Sequence, residues 1–143
     1  MTNQRTMKLH NVEGKQRWCG PAAIAAIAGV TTDNAAALIR RLERRRMVTH
    51  TNIVEVSHAL HELGFVIDRA LRPCDGIPFR RWQNETYLER RDGVYLFSSG
   101  RHWRVIQSGL TVCGIQRQVG SWNLGPKPGA KVRDAWHIRR KVA

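Results

Sequence analysis

The chain has 143 residues and a hydrophobic fraction of 42%, enough to bury one real core and too apolar for a disordered chain. Its 24 lysines and arginines against 11 acids give a formal charge of +13. That excess argues against basic partners and selects polyanionic ones, nucleic acid or an acidic protein.

Cysteine usage and the absence of apolar spans set the compartment. Cys19, Cys74 and Cys113 are odd in number and show no paired spacing, which predicts a reducing environment. The opening stretch MTNQRTMKLH lacks the apolar core of a secretion signal, and the longest apolar run, Pro21 to Val30, is too short to cross a bilayer. The expectation is a protein that is cytoplasmic at synthesis, with no membrane partner.

Residues 1–14 read as a polar lead-in with a short strand near Met7 to His10. Ala22 to Ala28 predicts a helix of small apolar residues, with Pro21 in the first turn, where a missing N–H costs nothing, and Gly29 as its stop. TTDNAAALIRRLERRR predicts a second helix, capped by Thr31, Thr32 or Asp33, with Ala36, Leu38, Ile39 and Leu42 inward. THTNIVEVSHALHELG predicts a third. Thr51 or Asn52 caps it, Ile53, Val56, Leu60 and Leu63 form one stripe, and Gly64 ends it.

Past that glycine the period changes. FVIDRAL is strand-like, and CDGIPFRRWQNETYLERRDG is turn-rich with one short helix. GVYLFSS, HWRVIQ and LTVCGIQR are separated by SG turns and predict an antiparallel meander. GSWNLGPKPGA is a loop, and KVRDAWHIRRK reads as a last edge strand. Helices come first and strands second, so the fold class is α+β: one domain over residues 1–143, with N-terminal helices packed on a C-terminal antiparallel sheet.

Cys19 stands one or two residues before the first predicted helix. A helix N-terminus offers unpaired N–H groups and a positive dipole end, both of which stabilise a thiolate. Gly20 leaves room for a backbone to approach, as a substrate must, and the Cys19 N–H is positioned to donate to an oxyanion. The base must come from a distant rigid element. His102 starts a strand after a turn, and Trp103 alternates to the other face.

WCGPAAIAAIAG, GVYLFSSGRHWRVIQSG and IVEVSHALHELGF together resemble the papain-like cysteine peptidase superfamily, within it the C39-like and bacteriophage thiol-hydrolase branches. The resemblance runs from about Gln16 to Gln118. It implies a papain-like fold, Cys19 as nucleophile, and His102 as general base and acid acting on a peptide or isopeptide bond. It also implies a phage-related role in processing or in a virion particle. The family places an oxyanion-donating glutamine several residues before the cysteine; here Gln16 is three residues before it and Asn11 lies farther back. The usual Asp or Asn orienter is missing from its obvious place. If Ser108 and Gly109 make a two-residue turn, Gln107 faces Leu110 and His102 faces Ile115; one more turn residue puts Gln116 opposite His102. Gln116 and Asn123 are the two candidates for the amide that holds the imidazole.

The remaining polar residues point to no metal or cofactor. His58 and His61 share a helix face but lack a third ligand, and Glu55 and Glu62 beside them read as a solvated face. His10, His50 and His137 read as surface or edge residues, and Cys74 as an incidental turn residue. Cys113 reads as core, or as facing His102. The clusters Arg40 to Arg46 and His137 to Lys141 are either solvated helix and strand ends or a basic face for a polyanion. A second reading follows from that face: a catalytically inert papain-like basic protein held to nucleic acid, an acidic protein or a virion partner.

Overall fold

Helix α1 (Cys19–Ala28) is the centre of the fold, and Gly20 through Ile27 are all buried. A helix that is apolar all round must be covered on every side. Here α2 (Thr32–Glu43), α3 (Ile53–Glu62) and the sheet cover it. The computed structural model describes residues 7–48, 50–71, 76–91, 93–99, 102–121 and 126–141.

The helix boundaries follow local chemistry. The Thr31 hydroxyl accepts the Asn34 N–H at 3.1 Å and starts α2. Asn52 and Glu55 form a reciprocal capping box on α3. Gly29, in the left-handed region, ends α1 as expected. Of the expected inward positions, Ala36, Ile39, Val56 and Leu60 are buried, while Leu38, Leu42, Ile53 and Leu63 are partly buried against the same core; Ala35 and Ala59 are buried as well. Glu55 departs from the expected solvated face. It is buried and paired with Arg45 at 2.9 Å.

The remaining elements are β1 (Phe65–Ala70), β2 (Ile77–Pro78), α4 (Phe79–Glu85), α5 (Tyr87–Arg90), β3 (Val94–Ser99), β4 (His102–Gln107), β5 (Leu110–Val112), β6 (Gly120–Ser121) and β7 (Lys131–Arg140). The sheet is antiparallel, in the order β1-β7-β3-β4-β5-β6, with β2 also paired to β7. The molecule is α+β. Among the described residues no single helix is long and apolar enough to cross a membrane.

Both sheet faces are covered. Val94, Leu96, Val105, Val112 and Ile138 pack toward α1–α3. Tyr95, Phe97, Ile106, Val132 and Ala135 pack on the other face with Phe79 and Trp82 of α4. This explains why VYLF in β3 is a continuous apolar run rather than an alternating one: successive residues enter two different cores.

Several expectations are corrected. Residues 7–13 form no strand; His10 N–H instead donates to Ala26 O and Val12 N–H to Arg117 O. The turn-rich segment holds two short helices, α4 and α5, where one was expected. The last strand is central, lying between β1 and β3, because Val132, Ala135, His137 and Ile138 are buried along it. His137 is thus not a surface residue; its Nδ1 lies 3.1 Å from Asp68 Oδ2. Cys74 and Asn123 lie outside the described residues.

Candidate active site

Helix α1 begins at Cys19 itself, so the thiol is on the first helical residue rather than before the helix. The N-cap is Trp18, which makes no side-chain capping bond, and no acid lies in the first turn. The contrast with the capped α2 and α3 is physical: among the described residues no side chain caps the leading N–H groups of α1. The loop that presents Cys19 is itself pinned. Asp33 accepts the N–H groups of Lys15 and Gln16, at 2.8 and 3.2 Å. The Gln16 Oε1 accepts those of Arg17 and Trp18, at 3.0 and 3.3 Å.

His102 is the exposed first residue of β4, paired across the hairpin with Ser99. Its neighbour Trp103 turns the other way, as alternation predicts. The indole Nε1 donates to Thr51 O at 2.8 Å, and the ring lies against Trp136.

Cys19 and His102 line one cleft of about 200 Å³, together with Arg17, Trp18, His50, Cys113, Gly114 and Ile115. The close approach is made by two glycines. A Cβ on Gly114 would sit 3.2 Å from Ala22 Cβ and from Arg17 O, a tight contact, so glycine lets the segment after β5 lie close against the start of α1. A Cβ on Gly20 would sit 1.8 Å from Thr51 Oγ1. The space beside Gly20 is therefore filled by Thr51, and the expectation that it accommodates substrate is corrected.

The proposed helpers of the pair are engaged elsewhere. The turn Ser108–Gly109 is indeed two residues long and Gln107 faces Leu110, but the β4–β5 ladder stops at Val105 and Val112. Neither Ile115 nor Gln116 reaches a position opposite His102. Gln116 Nε2 donates to Thr111 O at 2.8 Å, closing its own turn. Asn11 Oδ1 accepts the Val119 N–H at 3.0 Å, and neither it nor Gln16 lines the cleft. Among the described residues none hydrogen-bonds the His102 imidazole.

One cleft residue exceeds what the sequence suggested. His50, exposed, stands in the cleft wall with its ring 5.5 Å from that of Trp18. No sequence pattern marks it; its place follows from Thr51, which Gly20 and Trp103 fix. Cys113 is buried, as expected, and lines the same cleft as His102. Its sulfur accepts from Arg104 Nη1 at 3.3 Å and from the Gln116 N–H at 3.5 Å. Although two cysteines and two histidines line this cleft, among the described residues no three potential ligands are grouped to hold a metal ion. No family model, curated protein or solved structure matches the chain.

Proposed function

We propose that the chain is a papain-like thiol hydrolase that cleaves a peptide or isopeptide bond, with Cys19 as nucleophile and His102 as general base and acid. The observation that carries this reading is the meeting, in one small cleft, of a thiol on an uncapped helix start and an imidazole on a strand start far away in sequence. In the reaction His102 takes the thiol proton as Sγ attacks the carbonyl carbon. The carbonyl oxygen becomes an oxyanion facing the Cys19 N–H at the positive end of α1. His102 then protonates the leaving amine, and the thioester left on Cys19 is hydrolysed by water that gives its proton to the same imidazole.

The test is alkylation by iodoacetamide at mildly acidic pH, read by peptide mapping. Cys19 should react well ahead of Cys74 and Cys113, and His102→Ala should abolish the lead. Labelling of Cys19 no faster than of Cys74, or only after unfolding, overturns the reading.

A second reading, an inert binding protein of the same architecture, draws support from His102 itself. Its imidazole has no orienting partner among the described residues, and Gln116 is committed to Thr111. Papain-type catalysis relies on that partner to hold the ring. The same labelling experiment separates the two readings.

A further inference from the structure

The proposed reaction uses one thiol of the cleft and leaves a second idle. Cys19, partly exposed, and Cys113, 4% exposed, both line the cavity of about 200 Å³. Their chain segments meet there. Gly114 follows Cys113 directly, and a Cβ on it would sit 3.9 Å from Cys19 Cα. That contact brings the two segments to the separation at which disulfides form, about 4.4–6.8 Å between Cα atoms. The segment after β5 is also held in place. Cys113 O accepts the Arg117 N–H at 2.8 Å, and Arg117 O accepts the Val12 N–H at 2.6 Å.

Cys113 does not have the surroundings of an inert core cysteine. It belongs to neither apolar cluster that covers the two sheet faces. Its sulfur instead accepts from Arg104 Nη1 at 3.3 Å and from the Gln116 N–H at 3.5 Å. Arg104 comes from β4, two residues after His102 and on the same face of the strand. Its Nε is buried with no acceptor, so among the described residues the Cys113 sulfur is the acceptor this guanidinium has. Cysteines buried in apolar surroundings are inert, whereas reactive ones sit beside cations.

We propose that Cys113 is the resolving thiol of Cys19: a peroxide oxidises Cys19 to a sulfenic acid, and Cys113 closes it into a Cys19–Cys113 disulfide. In the first step Cys19 Sγ attacks one oxygen of hydrogen peroxide and the O–O bond breaks. The sulfur gives up two electrons, and the departing hydroxide leaves as water with the thiol proton, so thiol and peroxide become sulfenic acid and water. In the second step Cys113 Sγ turns from Arg104 to attack the Cys19 sulfur. The S–O bond breaks, its hydroxide takes the Cys113 proton, and a second water leaves. The link occupies the Cys19 sulfur and reverses with a dithiol reductant, whereas a sulfinic acid does not. It needs only the two thiols, so it stands without the hydrolase reading; in a working hydrolase the same bond is an off state.

The experiment treats the reduced full chain with hydrogen peroxide, blocks the remaining thiols with iodoacetamide and maps the non-reduced peptides by mass spectrometry. A peptide joining Cys19 to Cys113, lighter than its reduced halves by two hydrogens, should dominate within the monomer. Cys74 should be found alkylated, and dithiothreitol should restore both linked thiols. Cys113→Ala should form no link. Its Cys19 should be trapped by dimedone as the sulfenic acid and pass on to the sulfinic acid, which dithiothreitol does not reverse. Cys74→Ser should link as the parent does. The proposal is overturned if no Cys19–Cys113 link forms, if Cys19 pairs instead with Cys74 or with a second chain, or if it reaches the sulfinic acid as fast in the parent as in Cys113→Ala. Those results leave the hydrolase reading intact, because fast alkylation of reduced Cys19 depends on His102 and not on Cys113.

Discussion

Gly20 shows how a small residue is misread without its neighbour. The sequence offers a glycine beside a cysteine and suggests room for substrate; the fold puts Thr51 into that room. Gly20→Ala gains helix propensity of about 1 kcal/mol at most, but its methyl meets Oγ1 at 1.8 Å and Thr51 Cβ at 2.8 Å. Overpacking of this kind costs about 1–3 kcal/mol, so the variant should be less stable in urea titration. Thr51→Gly in the same chain should recover part of the loss, a coupling that independent sites would not show. Asp68 gives a second test at this scale. Its carboxyl is held below the usual range, first by the hydrogen bond with His137 and then by Arg139, against the opposing effect of burial. A depressed carboxylate pKa adds stability above the unfolded value near 3.9 and loses it as pH falls through the folded value. Acid unfolding of Asp68→Asn should therefore be less steep below about pH 4 than that of the parent; equal acid limbs would refute the assignment.

At the scale of elements, what could be read from sequence was local. The stop at Gly29 was legible, and the caps and the turn were narrowed to a few choices, from which the structure takes Thr31, Asn52 and the two-residue turn at Ser108–Gly109; all depend on neighbours within a few residues. Cys19 and His102 were legible as candidates too, since a helix start and a strand start are local features. What was hidden depends on partners far along the chain. KVRDAWHIRRK reads as an edge strand because its charges dominate; its central position is set by β1 and β3, which bond its two sides. His50 and Gly114 reached the cleft in the same non-local way. Position in the sheet predicts hydrogen exchange. Amides of β7 paired with β1 and β3 should exchange only through global unfolding, and those of the two-residue β6 by local opening. Fast exchange across Ala135 to Ile138 would place β7 at an edge after all. For α3, Asn52→Ala should cost about 1 kcal/mol in thermal or urea unfolding, through loss of one half of the capping box.

Over the whole molecule the formal charge of +13 opposes folding, because compaction brings like charges together. Ion pairs work the other way, and salt weakens both, so the sign of the salt effect depends on which is screened more. The exposed pairs among the described residues include Arg41–Glu62 at 3.7 Å and Arg81–Glu85 at 2.7 Å, both contacts. Solvent-exposed pairs of this kind contribute little to stability, and at such short range screening removes only part of that. The repulsion sums many like-charge pairs over the surface, and at 0.1 M salt, where the Debye length is about 10 Å, the more distant of them are largely screened. The thermal midpoint should therefore rise as sodium chloride is raised from low ionic strength toward 0.1–0.2 M, roughly the physiological range. A chain stabilised mainly by its ion pairs would instead melt earlier with added salt, and that result would mean the excess charge is not a net cost to this fold.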